Sequence, residues 1–450
     1  MKKDQRKLLL EKYRRLRKKV TRTGTRIFLV LLGAGFAVGL CFPLRPTHSD
    51  VEKRDLAAFP KLTASSLWDG SWFNDVNTWY SDTYPLRESL IAGASKVKGM
   101  YGFQGEQIVG GATQEADAIP EIDEDAVVTP APVATATPEP TQELEDGTIH
   151  QEPEMAGDVY IAGDTAFELY YFNQGGADAY ASMINTVQSR LGAGAQVYDL
   201  LAPTSFAVCL DENIQESMGA SSQKDAFQYI YSRLDPGVKK VDVFDELVRH
   251  NAEYVYYRTD HHWTALGAYY SYRVFAEQKG ITPHELSEFE HRSYPGFLGT
   301  FYAYSNQAEA LANNADTVET YIPMGTNDAE IQPAEGDAFQ WFVVSDVSEY
   351  SAGSKYSCFI GGDNPFTTIK NPQIHDGTTC VVIKESYGNA FVPWLVDHYE
   401  NVYVVDYRYY NGNLTQFVKD NQVDDVIFVN NADALSESRA ATMLALFPES

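Results

Sequence analysis

Short apolar runs alternate with amphipathic segments through the second half of the chain. Runs of four to six apolar residues stand in AQVYDLLAP, VKKVDVF, TCVVIKES, NVYVVDY and DDVIFVNN. Helical periodicity flanks them near residues 178–191, 222–234, 264–278, 390–398, 414–421 and 432–446. Buried strands that alternate with helices are typical of a mostly parallel sheet covered on both faces. The pattern predicts an α/β domain over residues 157–450, interrupted at 283–378, where Gly, Pro, Asn and Tyr indicate loops and a small β-rich excursion.

The amino-terminal part has the pattern of a membrane anchor. Residues 1–26 carry twelve Lys and Arg and two acids, and residues 27–44, IFLVLLGAGFAVGLCFPL, are uncharged and almost wholly apolar. At 1.5 Å per residue, such a run just spans a hydrocarbon core of roughly 30 Å. A cleaved signal peptide is the alternative, but Arg45, Pro46 and Thr47 offer no A-x-A-like site. The basic flank predicts that residues 1–26 are a cytoplasmic tail and that residues 27–44 are a single-pass transmembrane signal anchor in the cell membrane. Residues 45–111 are then the first part of an extracytoplasmic domain.

Residues 112–156 differ from both neighbours in composition. The stretch TQEADAIPEIDEDAVVTPAPVATATPEPTQELEDGTIHQEPE has twelve acids, six prolines and no Lys or Arg. Such a segment buries too little apolar surface to offset its ordering entropy, so we expect a disordered insertion. The β-like runs on either side, EQIVGG and DVYIAG, are expected to pair as one hairpin whose tip the insertion lengthens.

Charge and cysteine content exclude some classes of protein. The chain carries −27 and its first 26 residues +10, which leaves −37 for the rest, so nucleic acid would be repelled. Neutral substrates fit this surface better. Of four cysteines, Cys41 lies in the apolar run, and the other three show no CxxC spacing, which argues against a zinc cluster. Cys358 and Cys380 are either a disulfide or two buried thiols.

Three polar clusters follow predicted strands, at the sheet edge where ligands bind in such folds. They are Pro203-Thr204-Ser205, residues 260–263 after YVYY, and residues 385–388 after CVVIK. In an extended segment, Asp260 and His262 share a face while His261 points away. A carboxylate beside an imidazole can orient the imidazole as a general base. In the alternative, structural interpretation, the Asp-x-His pair only makes hydrogen bonds that hold a strand end to neighbouring loops.

Ser386 stands where a strand passes into a helix, with Gly388 close behind. This is a position that presents a nucleophilic serine beside backbone N–H groups, but the G-x-S-x-G elbow is absent because Lys384 and Glu385 precede the serine. A metal site is the competing interpretation of residues 260–262. The side chains of adjacent histidines diverge, and no HExxH is present, so no metal or other cofactor is predicted.

The stretch RTDHHWTALGAYYSY resembles the signature of the DHHW family of anchored bacterial proteins, related to the AlgJ/AlgX-like alginate O-acetyltransferases of the SGNH hydrolase superfamily. EKRDLAAFP, WFNDVNTWYSDTYPLRESLI, LLAPTS and KESYGNAFVPWLVDHYENVYVVDYRYY are similar to further parts of that family. The resemblance implies an SGNH-like three-layer sandwich with a permuted triad of Asp260, His262 and Ser386.

The resemblance also implies that the protein acts on an exported or cell-surface polysaccharide and that a membrane-bound O-acyltransferase supplies the acetyl groups. The glycine and asparagine blocks that supply oxyanion donors in the superfamily are not recognisable. The candidate donors are Tyr387 and Gly388, then Asn389, Thr204 and Ser205. Trp263, Arg408 and Tyr409 are candidate substrate contacts, and an Arg408–Asp406 pair is the alternative.

The expected function is O-acetylation of a glycan in the cell envelope. With water as acceptor, the same triad would make the protein a polysaccharide O-acetylesterase. A protein that keeps the fold without a competent oxyanion hole would instead bind cell-wall polysaccharide without catalysis.

Overall fold

The computed structural model describes residues 146–449 without a break, residues 116–120, and short stretches between residues 45 and 85. The chain forms two compact units, residues 1–105 and 106–450. The predicted basic tail and transmembrane anchor, residues 1–26 and 27–44, lie outside the described residues. Within the described part, no helix has the length and apolar character needed to cross a membrane.

The first unit contains two short paired strands and a small aromatic cluster. Strands β1 (His48–Ser49) and β2 (Arg54–Asp55) pair antiparallel. The guanidinium of Arg45 lies over the Trp79 ring, 3.7 Å from its centroid, and Phe59 packs edge-on against the same ring at 4.7 Å.

The second unit is built on one eight-stranded sheet with the order β11-β10-β12-β14-β13-β15-β6-β7. Its five strands β14, β13, β15, β6 and β7 run parallel, and β12, β10 and β11 extend one edge antiparallel. The strands outside this sheet are β3 (Glu154–Ala156), β4 (Val159–Ala162), β5 (Thr165–Phe167), β8 (Glu290–Phe297) and β9 (Asp316–Ile322). The strands of the sheet are β6 (Gln196–Ala202), β7 (Lys239–Val241), β10 (Asp328–Gln332), β11 (Phe339–Phe342), β12 (Phe366–Lys370), β13 (Thr379–Lys384), β14 (Asn401–Asp406) and β15 (Asp425–Asn431).

Helices cover both faces of the sheet. The described α-helices of this unit are α1 (Gln174–Leu191), α2 (Ser205–Cys209), α3 (Glu212–Ser217), α4 (Gln223–Ser232), α5 (Phe244–Arg249), α6 (Ala265–Lys279), α7 (Thr300–Tyr304), α8 (Glu309–Ala312), α9 (Gly388–Phe391), α10 (Leu414–Asp420) and α11 (Glu437–Ala445). Short 3-10 segments are Gly192–Gly194, Leu286–Glu288, Ala352–Cys358, Val392–His398 and Ala432–Ala434.

The central strand β13 shows why the fold needs both layers. All six of its residues are buried. Cys380 and Val382 join the apolar core on the α6 side, while Val381 and Ile383 join the core on the α1 side. Because successive side chains point to opposite faces, a strand that is apolar throughout must be covered twice. The predicted α/β fold is confirmed as a mixed α/β architecture with a largely parallel sheet.

Part of the expected excursion belongs to the main sheet. Within residues 283–378, only β8 and β9 form a separate antiparallel pair, whereas β10 pairs with β12 and β12 pairs with β14. Buried and exposed residues alternate along β10 (Asp328–Gln332), so one face of this strand is exposed, as expected near the edge of a sheet. Strands β10–β12 of the β-rich region therefore extend the main sheet.

Most of the acidic segment 112–156 lies outside the described residues, which include only 116–120 and 146–156 of it. Ile149 forms a parallel bridge with Leu210, and Ile119 packs against the core on the α1 side. Each of these isoleucines gives its short stretch an apolar side chain to bury. The predicted hairpin joined EQIVGG to DVYIAG, which contains β4. In the structure both edges of β4 are already paired, one with β3 and the other with β5. Residues 106–111 lie outside the described residues.

The thiols of the second unit are not paired with one another. Cys209, Cys358 and Cys380 are free, and the last two are buried. Burial raises the pKa of both Cys358 and Cys380. Of the two alternatives for Cys358 and Cys380, the structure has the buried thiols.

Candidate functional site

Ser386 lies at the carboxyl end of the central parallel strand, where the chain turns into a short helix. Strand β13 ends at Lys384 and α9 starts at Gly388. The turn is tight, because the N–H of Gly388 donates to the carbonyl of Glu385 at 3.0 Å. A Cβ at Gly388 would come within 2.4 Å of the Lys384 Cβ, so the turn requires glycine there. Ser386 is only 4% exposed.

His262 bridges the serine and a carboxylate. Its Nε2 lies 2.6 Å from the Ser386 Oγ, and its Nδ1 lies 2.6 Å from the Asp260 Oδ1. With the Nδ1 proton held by the carboxylate, Nε2 is the lone-pair nitrogen that can accept the serine proton. The structure thus brings together the three side chains that the sequence singled out as a triad.

The segment at Gly299 and Thr300 holds the Asp260 carboxylate in place. Its Oδ2 accepts hydrogen bonds from the Thr300 N–H at 2.8 Å and the Thr300 hydroxyl at 3.1 Å. Gly299 is required beside it, since a Cβ there would come within 2.1 Å of the Asp260 Oδ2. Burial alone would raise the pKa of Asp260, but the neighbouring histidines and these hydrogen bonds hold it well below its usual range. The carboxylate is therefore ionised wherever His262 can act as a base.

The histidine block differs locally from the expected strand end. Residues 254–257 form no strand of the sheet; Tyr256 makes one isolated bridge with Trp263, and residues 258–262 bend between them. As a result His261 does not point away from Asp260. Its ring lies on that of His262, with centroids 3.8 Å apart, and its Nδ1 is 2.6 Å from the Thr300 Oγ1. The alternation argument was wrong here because the backbone is not extended.

Trp263 and Tyr387 join the histidine block to the serine turn. The Trp263 Nε1–H donates to the Tyr387 carbonyl at 2.9 Å, and the Tyr387 hydroxyl donates to the His261 carbonyl. Trp263 is fully buried, so it has no face for a glycan and instead fixes the two halves of the site. This corrects the expected substrate contact at Trp263.

The backbone N–H groups of the serine turn are already hydrogen-bonded. The Tyr387 N–H donates to the Glu385 Oε2 at 3.0 Å, and the Gly388 N–H donates to the Glu385 carbonyl. The Glu385 carboxylate, fully buried, also accepts the N–H of Asn431 at 3.0 Å and lies 3.3 Å from the Ser386 Oγ. Neither Tyr387 nor Gly388 therefore presents an available backbone donor in this structure.

The remaining candidate donors lie at the same sheet edge with different surroundings. The Asn389 side-chain amide donates to Asp363 at 2.9 Å, and its N–H donates to the Ser386 carbonyl. The Thr204 N–H donates to the Gln223 Oε1 at 2.9 Å, and its hydroxyl accepts from the same side chain. The Ser205 Oγ is buried without a hydrogen-bond partner among the described residues. Thr204 and Ser205 follow β6, which is separated from β13 by β15.

Asn431 is a candidate donor that the sequence reasoning missed. Strand β15 pairs parallel with β13, with Lys384 level with Val429, and Asn431 at the end of β15 reaches the serine turn, where its N–H donates to the Glu385 Oε1 at 3.0 Å. Its side-chain Nδ2 is buried and has no hydrogen-bond partner within the described part of the chain. Its Oδ1 accepts the Asp433 N–H at 3.1 Å, which fixes the orientation of the amide. The end of DDVIFVNN carried the signal, a pair of asparagines at the end of a buried strand.

Arg408 and Tyr409 follow the neighbouring strand β14. The Arg408 guanidinium donates to both carboxylate oxygens of Asp406, at 2.9 and 2.8 Å, and lies 2.8 Å from the Asp363 Oδ2. The expected alternative, pairing with Asp406, is thus present. Lys384, fully buried, contacts the same two aspartates at 2.9 and 3.2 Å. Tyr409 is 49% exposed and remains accessible to a ligand.

The ligand atoms of Asp260, His261 and His262 lie within 4.8 Å of one another and could together hold a metal ion. In the structure, three of these atoms are engaged in the bonds already described: Asp260 Oδ1 with His262 Nδ1, and His261 Nδ1 with the Thr300 hydroxyl. These contacts form a hydrogen-bonded line from Asp260 through His262 to Ser386.

Comparison with known proteins supports one family. The model of the family described as DHHW protein matches residues 52–129 and 126–405. A DHHW family protein from Eubacterium siraeum is 31% identical, with a TM-score of 0.59 over 65% of this chain and 96% of that one. PatB1 of Bacillus cereus is 18% identical, with a TM-score of 0.53 over 62% of this chain and 97% of that one, a likeness of fold.

The O-acetyltransferase domain of Pseudomonas putida AlgJ is more distant. It is 12% identical, with a TM-score of 0.33 over 65% of this chain and 98% of that one, and supports no argument by itself. Among proteins with curated descriptions, none matches this sequence.

Proposed function

Because the chain belongs to the DHHW protein family, we propose that it is an acyl-transfer enzyme that moves acetyl groups onto a polysaccharide of the cell envelope. The single observation that carries this proposal is the continuous chain of contacts from Asp260 through His262 to Ser386, each 2.6 Å long. A serine, an imidazole and an ionised carboxylate in this order form a nucleophile with its base and orienting group.

The proposed first step acetylates the serine. As the Ser386 Oγ attacks the acetyl carbonyl of a donor, His262 Nε2 takes the hydroxyl proton and Asp260 stabilises the resulting imidazolium. The tetrahedral oxyanion collapses, the donor's alkoxide leaves with the proton from His262, and the acetyl ester remains on Ser386. In the second step a sugar hydroxyl gives its proton to His262 Nε2 and attacks the ester. The bond to the Ser386 Oγ then breaks, the serine takes the proton back from His262, and the acetyl group leaves on the sugar.

Asn431 is the proposed oxyanion donor. The charge that develops on the carbonyl oxygen needs donors that are fixed before the reaction starts. A buried amide Nδ2 beside the serine turn, held in orientation through its Oδ1, meets that need. The Tyr387 N–H already donates to the Glu385 carboxylate, whereas the Asn431 Nδ2 has no hydrogen-bond partner within the described residues, which favours Asn431 over the backbone of the serine turn.

The acceptor of the acetyl group decides between transfer and hydrolysis. Ser386 is 4% exposed and His262 6% exposed, so the acceptor must reach a largely buried ester. The sequence resemblance to the AlgJ/AlgX-like group points to polysaccharide O-acetylation, with a membrane-bound O-acyltransferase as acetyl supplier. Hydrolysis by the same triad, and binding of polysaccharide without catalysis, are the competing outcomes.

The experiment separates these three outcomes. Full-length protein is incubated with 4-nitrophenyl acetate and a neutral polysaccharide, with Ser386→Ala as the matched control. Transfer predicts Ser386-dependent acetyl esters on the polysaccharide. Release of acetate alone, at a rate that the polysaccharide does not change, would indicate an esterase. Equal behaviour of wild type and Ser386→Ala would contradict both enzymatic proposals.

The placement of the protein in the membrane is a separate proposal. The apolar run at residues 27–44 and its basic flank support an anchor with the remainder of the chain outside the cytoplasm. The test is fractionation: membranes washed with carbonate should retain the full chain, and deletion of residues 1–44 should release it. Release of the full chain by the wash would contradict an integral anchor.

A further inference from the structure

Tyr356 touches the side chain of His262 and the backbone of Ser386, although it lies in neither sequence block. It belongs to the 3-10 segment Ala352–Cys358, within the region where the sequence predicted only loops and a β-rich excursion. We propose that Tyr356 is a positioning residue for acyl transfer, whose ring stabilises the charged form of His262 and whose hydroxyl holds the Ser386 backbone. This inference rests on the proposed function.

The ring of Tyr356 fixes the plane of the base. It stacks on the imidazole of His262 with centroids 3.9 Å apart and planes 14° apart. The His261 ring also contacts the imidazole, with centroids 3.8 Å apart. These ring contacts and the bonds of both ring nitrogens hold the imidazole with its Nε2 directed at Ser386.

The hydroxyl of Tyr356 fixes the backbone of the nucleophile. It donates to the Ser386 carbonyl at 2.9 Å, and the same carbonyl accepts the Asn389 N–H at 3.1 Å. Burial raises the pKa of Tyr356 well above its ordinary value, so the phenol keeps its proton and remains a donor. One side chain thereby sets the base and the nucleophile relative to each other.

The stacked ring also acts on charge. When His262 accepts the serine proton it becomes an imidazolium, and the face of an aromatic ring attracts a cation. Here the pair is buried, where solvent screens little. The other titratable groups around His262 are Asp260 and His261 from its own loop, and Glu385 and Tyr387 from the serine turn. All of them stay in place when Tyr356 alone is replaced.

Two variants separate the ring from the hydroxyl. Tyr356→Phe keeps the stacked ring and removes the donor to Ser386. Tyr356→Leu removes the aromatic face but keeps the space apolar, so water does not replace the ring. Thermal unfolding monitored by circular dichroism establishes that each variant is folded before it is compared.

The decisive measurement is the titration of His262 by NMR in full-length protein labelled at histidine, with the resonance assigned by its loss in His262→Gln. Tyr356→Phe should leave the His262 pKa unchanged, and Tyr356→Leu should lower it by about 0.5 to 1. The same pKa in all three proteins, or an equal fall in both variants, would overturn the role of the ring.

Kinetics with 4-nitrophenyl acetate test the hydroxyl. Tyr356→Phe should lower kcat roughly five- to tenfold with KM and the pH profile unchanged, as expected for one lost hydrogen bond. Wild-type kcat in Tyr356→Phe would overturn the role of the hydroxyl. If wild type itself shows no turnover that depends on Ser386, the proposed function fails, while the titration still decides whether the ring stabilises charged His262.

Discussion

His262 Nε2 lies 2.6 Å from Ser386 Oγ, although 124 residues separate the two in the chain. Hydrogen bonds between the DHHW motif and the serine turn maintain this distance. Trp263 donates to the carbonyl of Tyr387, and Tyr387 donates to the carbonyl of His261, so neighbours of each residue bind neighbours of the other. Every residue of the DHHW motif contacts either the serine turn or another member of the motif.

Replacement of Asp260 by asparagine should nearly abolish reaction at Ser386. The amide keeps the size of the side chain but does not stabilise an imidazolium, and it favours the wrong tautomer of His262. We expect kcat with 4-nitrophenyl acetate to fall about 10³- to 10⁴-fold. Asp346→Asn, at an exposed aspartate, is the matched control and should leave kcat unchanged. A loss of less than tenfold in Asp260→Asn would remove the carboxylate from the mechanism.

Asn431→Asp tests the proposed oxyanion donor. Aspartate keeps the oxygen that accepts the Asp433 N–H and removes the buried Nδ2 donor. The expected result is a fall in kcat of about 10²- to 10³-fold with little change in KM. Asn389→Asp serves as the comparison, because the Asn389 amide already donates to Asp363. If Asn389→Asp lowers kcat more than Asn431→Asp does, Asn431 is not the oxyanion donor.

The contribution of the Trp263 hydrogen bond can be isolated by comparison with Trp394. Both indoles are at most 2% exposed, but the Trp394 Nε1 has no hydrogen-bond partner among the described residues. Replacement of either by phenylalanine removes similar volume, and only Trp263→Phe also removes a bond to the Tyr387 carbonyl. Trp263→Phe should therefore lower the free energy of unfolding by about 1 kcal/mol more, measured by urea denaturation. Equal losses would mean that the bond contributes nothing to stability.

Asp199 should make stability depend on pH in a window below neutrality. Burial raises its pKa to about 7, although a hydrogen bond from the Tyr180 hydroxyl opposes the rise. In the unfolded chain the pKa is about 3.9. The folded state therefore keeps a proton that the unfolded state has lost, and the stability from this group is complete below about pH 4 and disappears as pH rises through 7.

The variant Asp199→Asn does not titrate and reveals this contribution by difference. The free energy of unfolding of wild type minus that of Asp199→Asn should fall steadily between pH 4 and pH 8. Urea denaturation at intervals of one pH unit measures it. A difference that stays constant across this range would show that Asp199 is ionised in the folded protein.

The parallel core of the fold could be predicted because its strands are apolar on both faces. The runs that became β6, β13, β14 and β15 are bounded by turns and separated by helical periodicity, and each lies within two residues of its predicted position. Ser386 was found by the same reasoning, as a polar residue directly after a buried strand. These signals are local, so a single sequence contains them.

Features that depend on contacts distant in sequence could not be predicted in this way. YVYY is rich in strand-forming residues, yet Tyr257 and Tyr256 are buried against helix and loop without joining the sheet. Tyr356 reaches His262 only through the fold of the 3-10 segment, and no periodicity marks it. Asn431 is marked in the sequence only as one of two asparagines at a strand end, and its contact with the serine turn depends on the order of the strands in the sheet.

The most direct test of the account is the site of covalent acetylation. Full-length protein is mixed with 4-nitrophenyl acetate, quenched in acid within the first turnover, and digested for peptide mass spectrometry. The account predicts one acetyl group on Ser386, absent from His262→Gln and from Ser386→Ala, while Ser205→Ala still forms it. Acetylation of another residue, or an adduct on Ser386 that forms at the same rate without His262, would contradict a nucleophile activated by this histidine.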